Sequence, residues 1–311
     1  MDKSQIKNCL VSIVIPSYNS EDTIEKTLVN LSNQNGEIKY EIIVVNSSDD
    51  ATFSIIKEKF PWVNLVQLPE KALPGTARNT GVRSAKGKFI AFLDSDCLVE
   101  NNWLAKMLKH YSPEFCAVGG PIDNANPENL IGLAGYILEF SEFVSGEKRV
   151  VDHIPSGNIM LLKTTFDESG GFAEEFRYAQ EDRLFSWKLR KQTGRNLLFH
   201  PEIRVKHIHR VKFSDYLKHQ RSIGRGGAEI LKATDIRGSN LMNNRLLINL
   251  ILPLAALKKL LLSGFLVLKQ EPLKIIKKPL VIPVLCAGAF SWMSGFAEQA
   301  NFSFKAEKES D

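Results

Sequence analysis

The chain has 311 residues, 44% of them hydrophobic, and a formal net charge of +5 at pH 7. This length and composition allow one large α/β domain or two smaller ones, and they exclude an intrinsically disordered protein. The four cysteines occur at no metal-ligand or paired-loop spacing, so neither a zinc site nor a disulfide framework is expected.

The first hundred residues predict alternating strands and helices. Apolar or β-branched runs between turn residues predict strands at residues 10–16, 41–46, 63–69 and 88–94. Helical spacing between them predicts helices at 20–34 with Ser20 as N-cap, at 50–60, and at 76–87 closed by Gly87. Near-continuous apolar strands that alternate with helices are typical of a mostly parallel, Rossmann-like sheet covered by helices on both faces. The first apolar run is too short for the core of a signal peptide, so a cytosolic chain without one is expected.

Polar residues follow three of the predicted strands, at 17–19, 46–50 and 94–96. Ligands of parallel sheets bind beyond the carboxyl ends of the strands, so we expect these three segments to face one crevice. Strand side chains alternate between faces, which predicts that Asp94 and Asp96 point the same way. Two carboxylates held together favour a cation, and the sequence contains neither a P-loop nor a dinucleotide fingerprint after the first strand.

A further helix is predicted from Glu181 to Arg190, with the acids Glu181 and Asp182 in its first turn. Acids at this position also stabilise a helix through its dipole, so their place in the helix does not by itself assign a function.

The C-terminal part of the chain is lipophilic, and it follows a segment rich in Lys and Arg that suits phosphates, anionic lipid headgroups or a solvated surface. Two apolar stretches flank Lys258 and Lys259, whose burial in the bilayer centre would cost about 2.5–3.5 kcal/mol each and favours an interfacial or re-entrant helix. Residues 279–297 are uncharged over the length that a spanning helix needs. Lysines just before this stretch place its start on the cytoplasmic side: Lys274, Lys277 and Lys278. The alternative for the region is a buried helical hairpin or a dimer interface.

An ordered set of motifs resembles glycosyltransferase family 2 over about residues 10–230: VSIVIPSYN, EIIVVNSSDD, PGTARNTGVRSAKGKFIAFLDSDC, SGNIMLLK, GGFAEEF and QEDRLFSWKL. The resemblance implies a GT-A fold and transfer of a sugar, with inversion, from a nucleotide sugar, most simply a UDP-sugar, to an acceptor hydroxyl. It implies Mg²⁺ or Mn²⁺ as cofactor, a lipid-linked or saccharide acceptor, and no nucleic-acid partner. Glycolipid or cell-surface polysaccharide synthesis at the cytoplasmic face of a membrane is the expected setting.

The resemblance also predicts a domain organisation. A catalytic domain is expected at 1–235, with a nucleotide-sugar half at about 8–115 and an acceptor half at about 116–235. A helical, membrane-associating region is expected at 236–311.

For the donor, the resemblance implies contacts of Pro16 and Tyr18 with the nucleobase, and the Tyr18 ring offers a stacking surface. Asn46 stands where the family usually has an Asp that reads the base or ribose, with Asp49 and Asp50 in the same loop as substitutes. The remaining donor residues are Arg78 near the nucleotide, Asp94 near the ribose, and Asp96, which would hold the cation against the diphosphate.

For the acceptor, the resemblance implies that Gly157, Asn158 and Glu181 line the acceptor side and that Asp182 is the general base. His207 or His209 would ligate the metal or contact the diphosphate, and on a strand the two would share a face. Additional phosphate clamps would come from two arginines: Arg221 and Arg225.

Two other functions compete with this interpretation. A sugar-phosphate nucleotidyltransferase would need a Gly-rich, basic loop after the first strand, and the sequence PSYNSED contains none. A catalytically silent nucleotide-sugar-binding or membrane-scaffold protein is the stronger alternative, because Asn46 lacks the charge that is usual at this position.

Overall fold

The computed structural model describes residues 11–34, 38–144 and 146–308, and it leaves the side chains of 274 and 303–308 undescribed. Residue 10 of the predicted first strand, Cys9 and the Lys274 side chain therefore lie outside the described residues. The chain divides into two compact units. Unit 1 comprises Met1–Asp123, Ser145–Phe176 and Glu181–Ile208, and unit 2 comprises Asn124–Val144, Arg177–Gln180 and His209–Asp311. The predicted domain boundary after residue 235 stays a prediction.

The strands in chain order are β1 (Val11–Ser17), β2 (Tyr40–Asn46), β3 (Asn64–Gln67), β4 (Phe89–Phe92), β5 (Cys97–Val99), β6 (Phe115–Gly119), β7 (Ile122–Asn124), β8 (Arg149–Val151), β9 (Ile159–Leu162), β10 (Asn196–Phe199) and β11 (Val205–His207). The α-helices are α1 (Ile24–Ser32), α2 (Thr52–Lys59), α3 (Pro74–Ser84), α4 (Trp103–His110), α5 (Leu130–Phe140), α6 (Lys163–Glu168), α7 (Glu181–Thr193), α8 (Phe213–Ala233), α9 (Arg245–Gln270), α10 (Pro272–Ile276) and α11 (Val281–Lys308). A short 3₁₀ turn spans Ser156–Asn158.

Unit 1 is built on a mixed, mostly parallel sheet with the strand order β3-β2-β1-β4-β9-β6-β10-β8. Strands β1 to β4 run parallel to their neighbours among themselves, and β6 runs parallel to β10. Strand β9 runs antiparallel to both β4 and β6, and the edge strand β8 runs antiparallel to β10. Strands β1 and β2 are buried almost throughout because helices cover both faces of the sheet, as their near-continuous apolar sequences predict. The α/β prediction is therefore confirmed.

A second, three-stranded sheet has the order β5-β11-β7. Its antiparallel β5–β11 pair places His207 opposite Cys97, the residue that follows Asp96. The chain thereby brings a histidine from late in the sequence next to the acidic segment after β4.

The end of β4 differs from the prediction. The strand ends at Phe92, and the backbone N–H of Cys97 donates to the carbonyl of Asp94 at 3.1 Å, which closes a turn. Asp94 and Asp96 therefore belong to this turn, and the argument that they share one face of a strand is wrong.

Two predicted helix ends also differ. Helix α1 begins at Ile24, because the carbonyl of Ser20 accepts from the N–H groups of Thr23 and Ile24 in a preceding turn, while the Ser20 hydroxyl lies 2.8 Å from that of Ser95. Ser20 is therefore not the N-cap. Helix α3 ends at Ser84, and Gly87 instead packs on β1, where an added Cβ would lie 2.5 Å from the backbone nitrogen of Ser12.

The described secondary structure of unit 2 is helical apart from Asn124, the last residue of β7, and helices α8 and α11 cross at glycines. A Cβ on Gly224 would lie 2.0 Å from the carbonyl oxygen of Trp292, and one on Gly295 would lie 2.0 Å from that of Arg221. Two helices in the described ranges are long and apolar enough to cross a membrane by length and composition alone, Arg245–Gln270 and Val281–Phe302.

Candidate active site

A buried arginine joins two acids of unit 1. Arg78 on α3 is only 3% exposed, and its Nη2 donates to Asp94 Oδ1 at 2.7 Å while its Nη1 donates to Glu181 Oε1 at 2.6 Å. Burial alone would lower the pKa of the guanidinium, but the charges of Asp94 and Glu181 outweigh burial and raise it. The guanidinium is therefore a permanent cation that holds the two carboxylates. Glu181, predicted to line the acceptor side, is thus bound to Arg78.

The turn after β4 gathers oxygen ligands. Carboxylate oxygens of Asp94 and Asp96 and the Sγ of Cys97 all lie within 4.8 Å of one another, and both carboxylates are about one-third exposed. His207 contributes a nitrogen to the same place, since its Nε2 lies 3.3 Å from Asp96 Oδ1. Burial, reinforced by the neighbouring acids, raises the pKa of the Cys97 thiol well above its ordinary value, so the thiol stays neutral. Carboxylate oxygens with a nearby imidazole fit a hard divalent cation such as Mg²⁺ or Mn²⁺.

The turn Ser156–Asn158 contacts both Asp94 and Asp182, the predicted base. A Cβ on Gly157 would lie 2.7 Å from Asp94 Oδ2, so only a glycine fits against this carboxylate without displacing it. On the other side of the turn, the backbone N–H of Ser156 donates to Asp182 Oδ2 at 3.3 Å. This turn therefore brings Asp94 and Asp182 to one place.

Asn158 anchors that turn. Its side chain is fully buried, and its Nδ2 donates to the carbonyls of Pro121 and Ile203 at 3.0 and 2.8 Å. Its Oδ1 accepts from Trp103 Nε1 at 3.0 Å. The side-chain amide is thus engaged within unit 1, and its place on the acceptor side stays a prediction.

Asp182, at the start of α7, has a histidine beside it. His153 Nε2 lies 3.4 Å from Asp182 Oδ2, and the other oxygen, Oδ1, accepts from the backbone N–H of Arg183 at 2.8 Å. Burial would raise the pKa of Asp182, but the charge and hydrogen bond of His153, together with the charge of Arg78, hold it below its ordinary value. The carboxylate is therefore ionised at neutral pH, the state that a general base requires.

At the amino-terminal side of the site, Tyr18 follows β1 and is 44% exposed. Lys71 Nζ lies 4.4 Å from the centroid of its ring, a cation–π contact. Pro16 is half-buried within β1, opposite Val45 of β2. Tyr18 is thus an accessible aromatic face with a cation beside it.

Asn46 is fully buried at the end of β2. Its Nδ2 donates to Ser48 O at 3.3 Å and to Gln67 Oε1 at 2.9 Å, and its Oδ1 accepts from the Ser48 hydroxyl at 2.9 Å. The amide is therefore engaged by Ser48 of its own loop and by Gln67 at the end of β3. Asp50 accepts from the backbone N–H groups of Glu21 and Thr52, which leaves Asp49 as the exposed acid of this loop.

Three predicted candidates lie in unit 2. Strand β11 ends at His207, so His209 does not share a strand face with it, and that prediction is wrong. The His209 ring instead contacts those of Tyr136 and Phe140, at centroid distances of 6.0 and 5.6 Å. The two predicted phosphate clamps both pair with the carboxylate of Glu298: Arg221 and Arg225.

Sequence reasoning missed two residues of this region, His153 and Lys71. Each is a single polar residue without a motif around it, and each reaches its partner only through the packing of distant segments. No sequence signal indicated the bridging role of Arg78 either, although the residue itself was a candidate.

The chain is similar in sequence to known glycosyltransferases. The model of the family described as Glycosyl transferase family 2 matches residues 12–170, just over half of the chain. The pre-mycofactocin glycosyltransferase of Mycobacterium tuberculosis is 25% identical over 236 residues, which cover 71% of this chain and 47% of that protein. The chain thus spans about half the length of this relative. The UDP-Glc:alpha-D-GlcNAc-diphosphoundecaprenol beta-1,3-glucosyltransferase WfgD of Escherichia coli is 35% identical over 102 residues, 32% of this chain and 38% of WfgD.

Among solved structures, the mannosyltransferase PcManGT from Pyrobaculum calidifontis, in complex with GDP-Man and Mn²⁺, superposes with a TM-score of 0.58. It is 18% identical, and the match covers 94% of this chain and 86% of that one. The likeness confirms the predicted GT-A-type fold.

Proposed function

Because the chain belongs to glycosyltransferase family 2, we propose that it transfers a sugar from a nucleoside-diphosphate sugar to an acceptor hydroxyl with inversion. The observation that carries this proposal is the turn Ser156–Asn158, which contacts Asp94 through Gly157 and Asp182 through the N–H of Ser156. Asp94, an acid of the proposed donor site, and Asp182, the proposed general base, thus lie on either side of one turn, and sugar transfer requires donor and base together.

On the donor side, Tyr18 would stack on the nucleobase and Lys71 would move from the ring toward the diphosphate charge. We propose a UDP-sugar as donor, because the name of WfgD specifies a UDP-sugar. Asp94, held by Arg78, would accept hydrogen bonds from the ribose. Since the Asn46 amide is engaged by its own loop, a contact of this residue with the base would require the loop to rearrange, and Asp49 is the more accessible acid.

Asp96, with His207 beside it, would hold Mg²⁺ or Mn²⁺, and PcManGT was solved with Mn²⁺. A cation bound there would supply positive charge to the departing diphosphate. The residues of this chain supply the oxygen ligands, while the neutral Cys97 thiol contributes packing only.

On the acceptor side, the hydroxyl oxygen would attack the anomeric carbon as the bond from that carbon to the diphosphate oxygen breaks. Asp182 would take the hydroxyl proton, and the nucleoside diphosphate would leave with the bonding electrons. A general base of this kind contributes about 10² to 10⁴ in rate. Glu181 does not compete for this role, because its carboxylate is bound to Arg78.

We further propose that the acceptor is lipid-linked and that the protein works at a membrane surface, in glycolipid or cell-surface polysaccharide synthesis. The name of WfgD describes a diphosphoundecaprenol acceptor, and helices α9 and α11 are both apolar. A location on the cytoplasmic face of the membrane is part of this proposal.

The test is a panel of nucleotide sugars with Mg²⁺ or Mn²⁺ and a membrane lipid extract, with released nucleoside diphosphate as the readout. We expect turnover with a UDP-sugar that requires the cation and is lost in Asp96→Asn. Asp167→Asn, a change of an exposed acid on α6, serves as the matched control and should turn over normally.

The alternative is a catalytically silent nucleotide-sugar-binding protein. Donor binding in the same panel without nucleoside diphosphate release, with every acceptor and both cations, would establish that alternative and overturn the proposal.

A further inference from the structure

Helix α9 presents a continuous row of exposed large apolar side chains. Their exposures range from 41% to 84%, and they follow one another at intervals of three or four residues: Leu246, Leu250, Leu254, Leu257, Leu261, Phe265 and Leu268. At 100° per residue they lie within an arc of roughly 100° on one side of the helix. We call this row the leucine stripe. Soluble proteins rarely leave such a surface in contact with water.

The opposite side of α9 is packed inside unit 2. The buried residues on that side are Ile248, Leu252, Ala256, Ser263 and Val267. Lys259, in the middle of the helix, donates from Nζ to the carbonyl of Leu138 in α5 at 2.8 Å. An isolated spanning helix is surrounded by lipid on all sides. Helix α9 is not, because one whole side of it packs inside unit 2.

Helix α11 packs closely against the polar helix α8. It crosses α8 at Gly224 and Gly295 with backbones in contact, and its Ser291 hydroxyl donates to the carbonyl of Leu217 at 2.7 Å. Helix α8 carries two lysines, two arginines and one histidine, and both arginines, Arg221 and Arg225, pair with Glu298 of α11. Placing α11 across a bilayer would draw these charges into hydrocarbon, at a cost of about 2.5–3.5 kcal/mol for each charge on insertion scales.

Basic residues border the leucine stripe. Lys258 and Lys269 are exposed and lie just outside one edge of the arc, where their long side chains can reach lipid headgroups while their stems cover apolar surface. The exposed apolar surface continues beyond the helix at Leu273, Ile276 and Leu280, with the exposed Lys277 among them. An apolar face with a basic border is the pattern of a helix that lies in the plane of an anionic membrane surface.

We propose that unit 2 docks on one leaflet of an anionic bilayer through the leucine stripe, and that neither α9 nor α11 crosses the membrane. The partner is the lipid surface itself, and charge complementarity between the flanking lysines and anionic headgroups argues for it over a second copy of the chain. The docking surface would give the protein access to a lipid-linked acceptor, and this deepens the proposed function. Only the link to the acceptor rests on that function; membrane docking itself does not.

The experiment is flotation of the full chain with vesicles of phosphatidylcholine alone or with one-third phosphatidylglycerol. We expect flotation with the anionic vesicles, weakened by salt, and a loss of roughly tenfold or more in Leu250→Glu/Leu254→Glu. The matched control is Val150→Glu/Val211→Glu, which changes exposed apolar residues elsewhere and should float like wild type. Circular dichroism of both variants checks that they fold.

Alkaline carbonate should release the membrane-bound protein, as it does a protein that lies on one leaflet. Resistance to carbonate would show a spanning helix and overturn the proposal. Equal flotation with neutral and anionic vesicles would also overturn it. The proposal would likewise be overturned if the wild-type protein were a dimer that does not float and the Leu250→Glu/Leu254→Glu variant were a monomer. Flotation without any sugar transfer would instead sink the proposed function and leave the docking intact.

Discussion

At the scale of single residues, Arg78 decides which of two adjacent acids is available for chemistry. Its buried guanidinium pairs with the largely buried Glu181 and with the partly exposed Asp94, and removing Glu181 would leave charge on the buried guanidinium uncompensated. Asp182, one residue further, faces His153 and the turn at Ser156. The two neighbouring carboxylates therefore have different surroundings, and we expect Glu181 to stabilise the fold and Asp182 to act in the proposed reaction.

This difference predicts opposite results for two similar substitutions. Asp182→Asn keeps the size of the side chain but removes its basicity, so kcat should fall by about 10² to 10⁴ while donor affinity stays nearly unchanged. Glu181→Gln removes a charged partner of Arg78, so the free energy of unfolding should fall by about 1–3 kcal/mol with a smaller effect on kcat. Steady-state kinetics and urea denaturation of both variants measure this contrast. Normal transfer by Asp182→Asn together with loss in Glu181→Gln would show that the assignment is reversed.

His153 predicts a shift in the pH dependence of transfer. The pKa of Asp182 lies below its ordinary value although burial opposes this, because His153 and Arg78 favour the ionised form. A base must be ionised, so activity should persist as the pH falls until Asp182 takes up a proton. His153→Gln removes one source of the lowering, so the acidic limb of the kcat profile should move to higher pH.

The control for this prediction is His110→Gln, which changes another histidine of unit 1 that pairs with Glu202. Its profile should match wild type. An acidic limb that stays in place in His153→Gln would show that His153 does not lower the pKa of the catalytic base.

At the scale of secondary structure elements, glycines allow two pairs of segments to pack in close contact. The turn Ser156–Asn158 is short, yet it contacts Asp94 because Gly157 has no side chain. Helices α8 and α11 approach in the same way at Gly224 and Gly295. In both places a missing Cβ allows a contact that any larger residue would prevent.

The helix crossing gives a test with a control on the same helix. Gly224→Ala places a Cβ 2.0 Å from the Trp292 carbonyl oxygen, so the backbones must separate, and overpacking of this kind costs about 1–3 kcal/mol of unfolding free energy. Gly227→Ala meets nothing closer than 3.7 Å, so the gain in helix propensity should leave stability unchanged or raise it by up to about 1 kcal/mol. Urea denaturation in mild detergent measures both variants. Equal stability of the two would contradict the close crossing.

At the scale of the whole molecule, acid should destabilise unit 2 through one buried carboxylate. Glu139 on α5 accepts from Gln220 Nε2 at 2.7 Å and lies 3.4 Å from His219 Nε2. Burial opposes ionisation of Glu139, but His219, Arg210 and His209 outweigh it and lower the pKa. A pKa that is lower in the folded than in the unfolded chain contributes stability above the ordinary glutamate value of about 4.3, and this stability is lost as the pH falls below it.

We therefore expect the urea midpoint of the wild type to fall between about pH 6 and pH 3. Glu139→Gln should start lower at pH 6, by roughly 1–3 kcal/mol of unfolding free energy, and should fall less steeply with acid. Glu58→Gln, a change of an exposed acid on α2, should keep the wild-type slope. Parallel pH profiles of Glu139→Gln and wild type would contradict this account.

The sequence by itself determined the alternation of apolar strands and helices, the segments that contain the acids, and the apolar character of the C-terminal helices. These follow from local composition and spacing, which act on neighbouring residues. It misplaced the end of β4, because a hydrogen bond across a turn, and not apolar character, stopped the strand at Phe92.

Only the tertiary structure decided how the acids are used. The ion pairs of Arg78, the approach of His153 to Asp182, and the contact of Gly157 with Asp94 join residues far apart in the chain. Burial of the Asn46 amide and exposure of the leucine stripe were likewise decided by packing. Such contacts depend on how whole segments fit together in space, and no local spacing of residues encodes that fit.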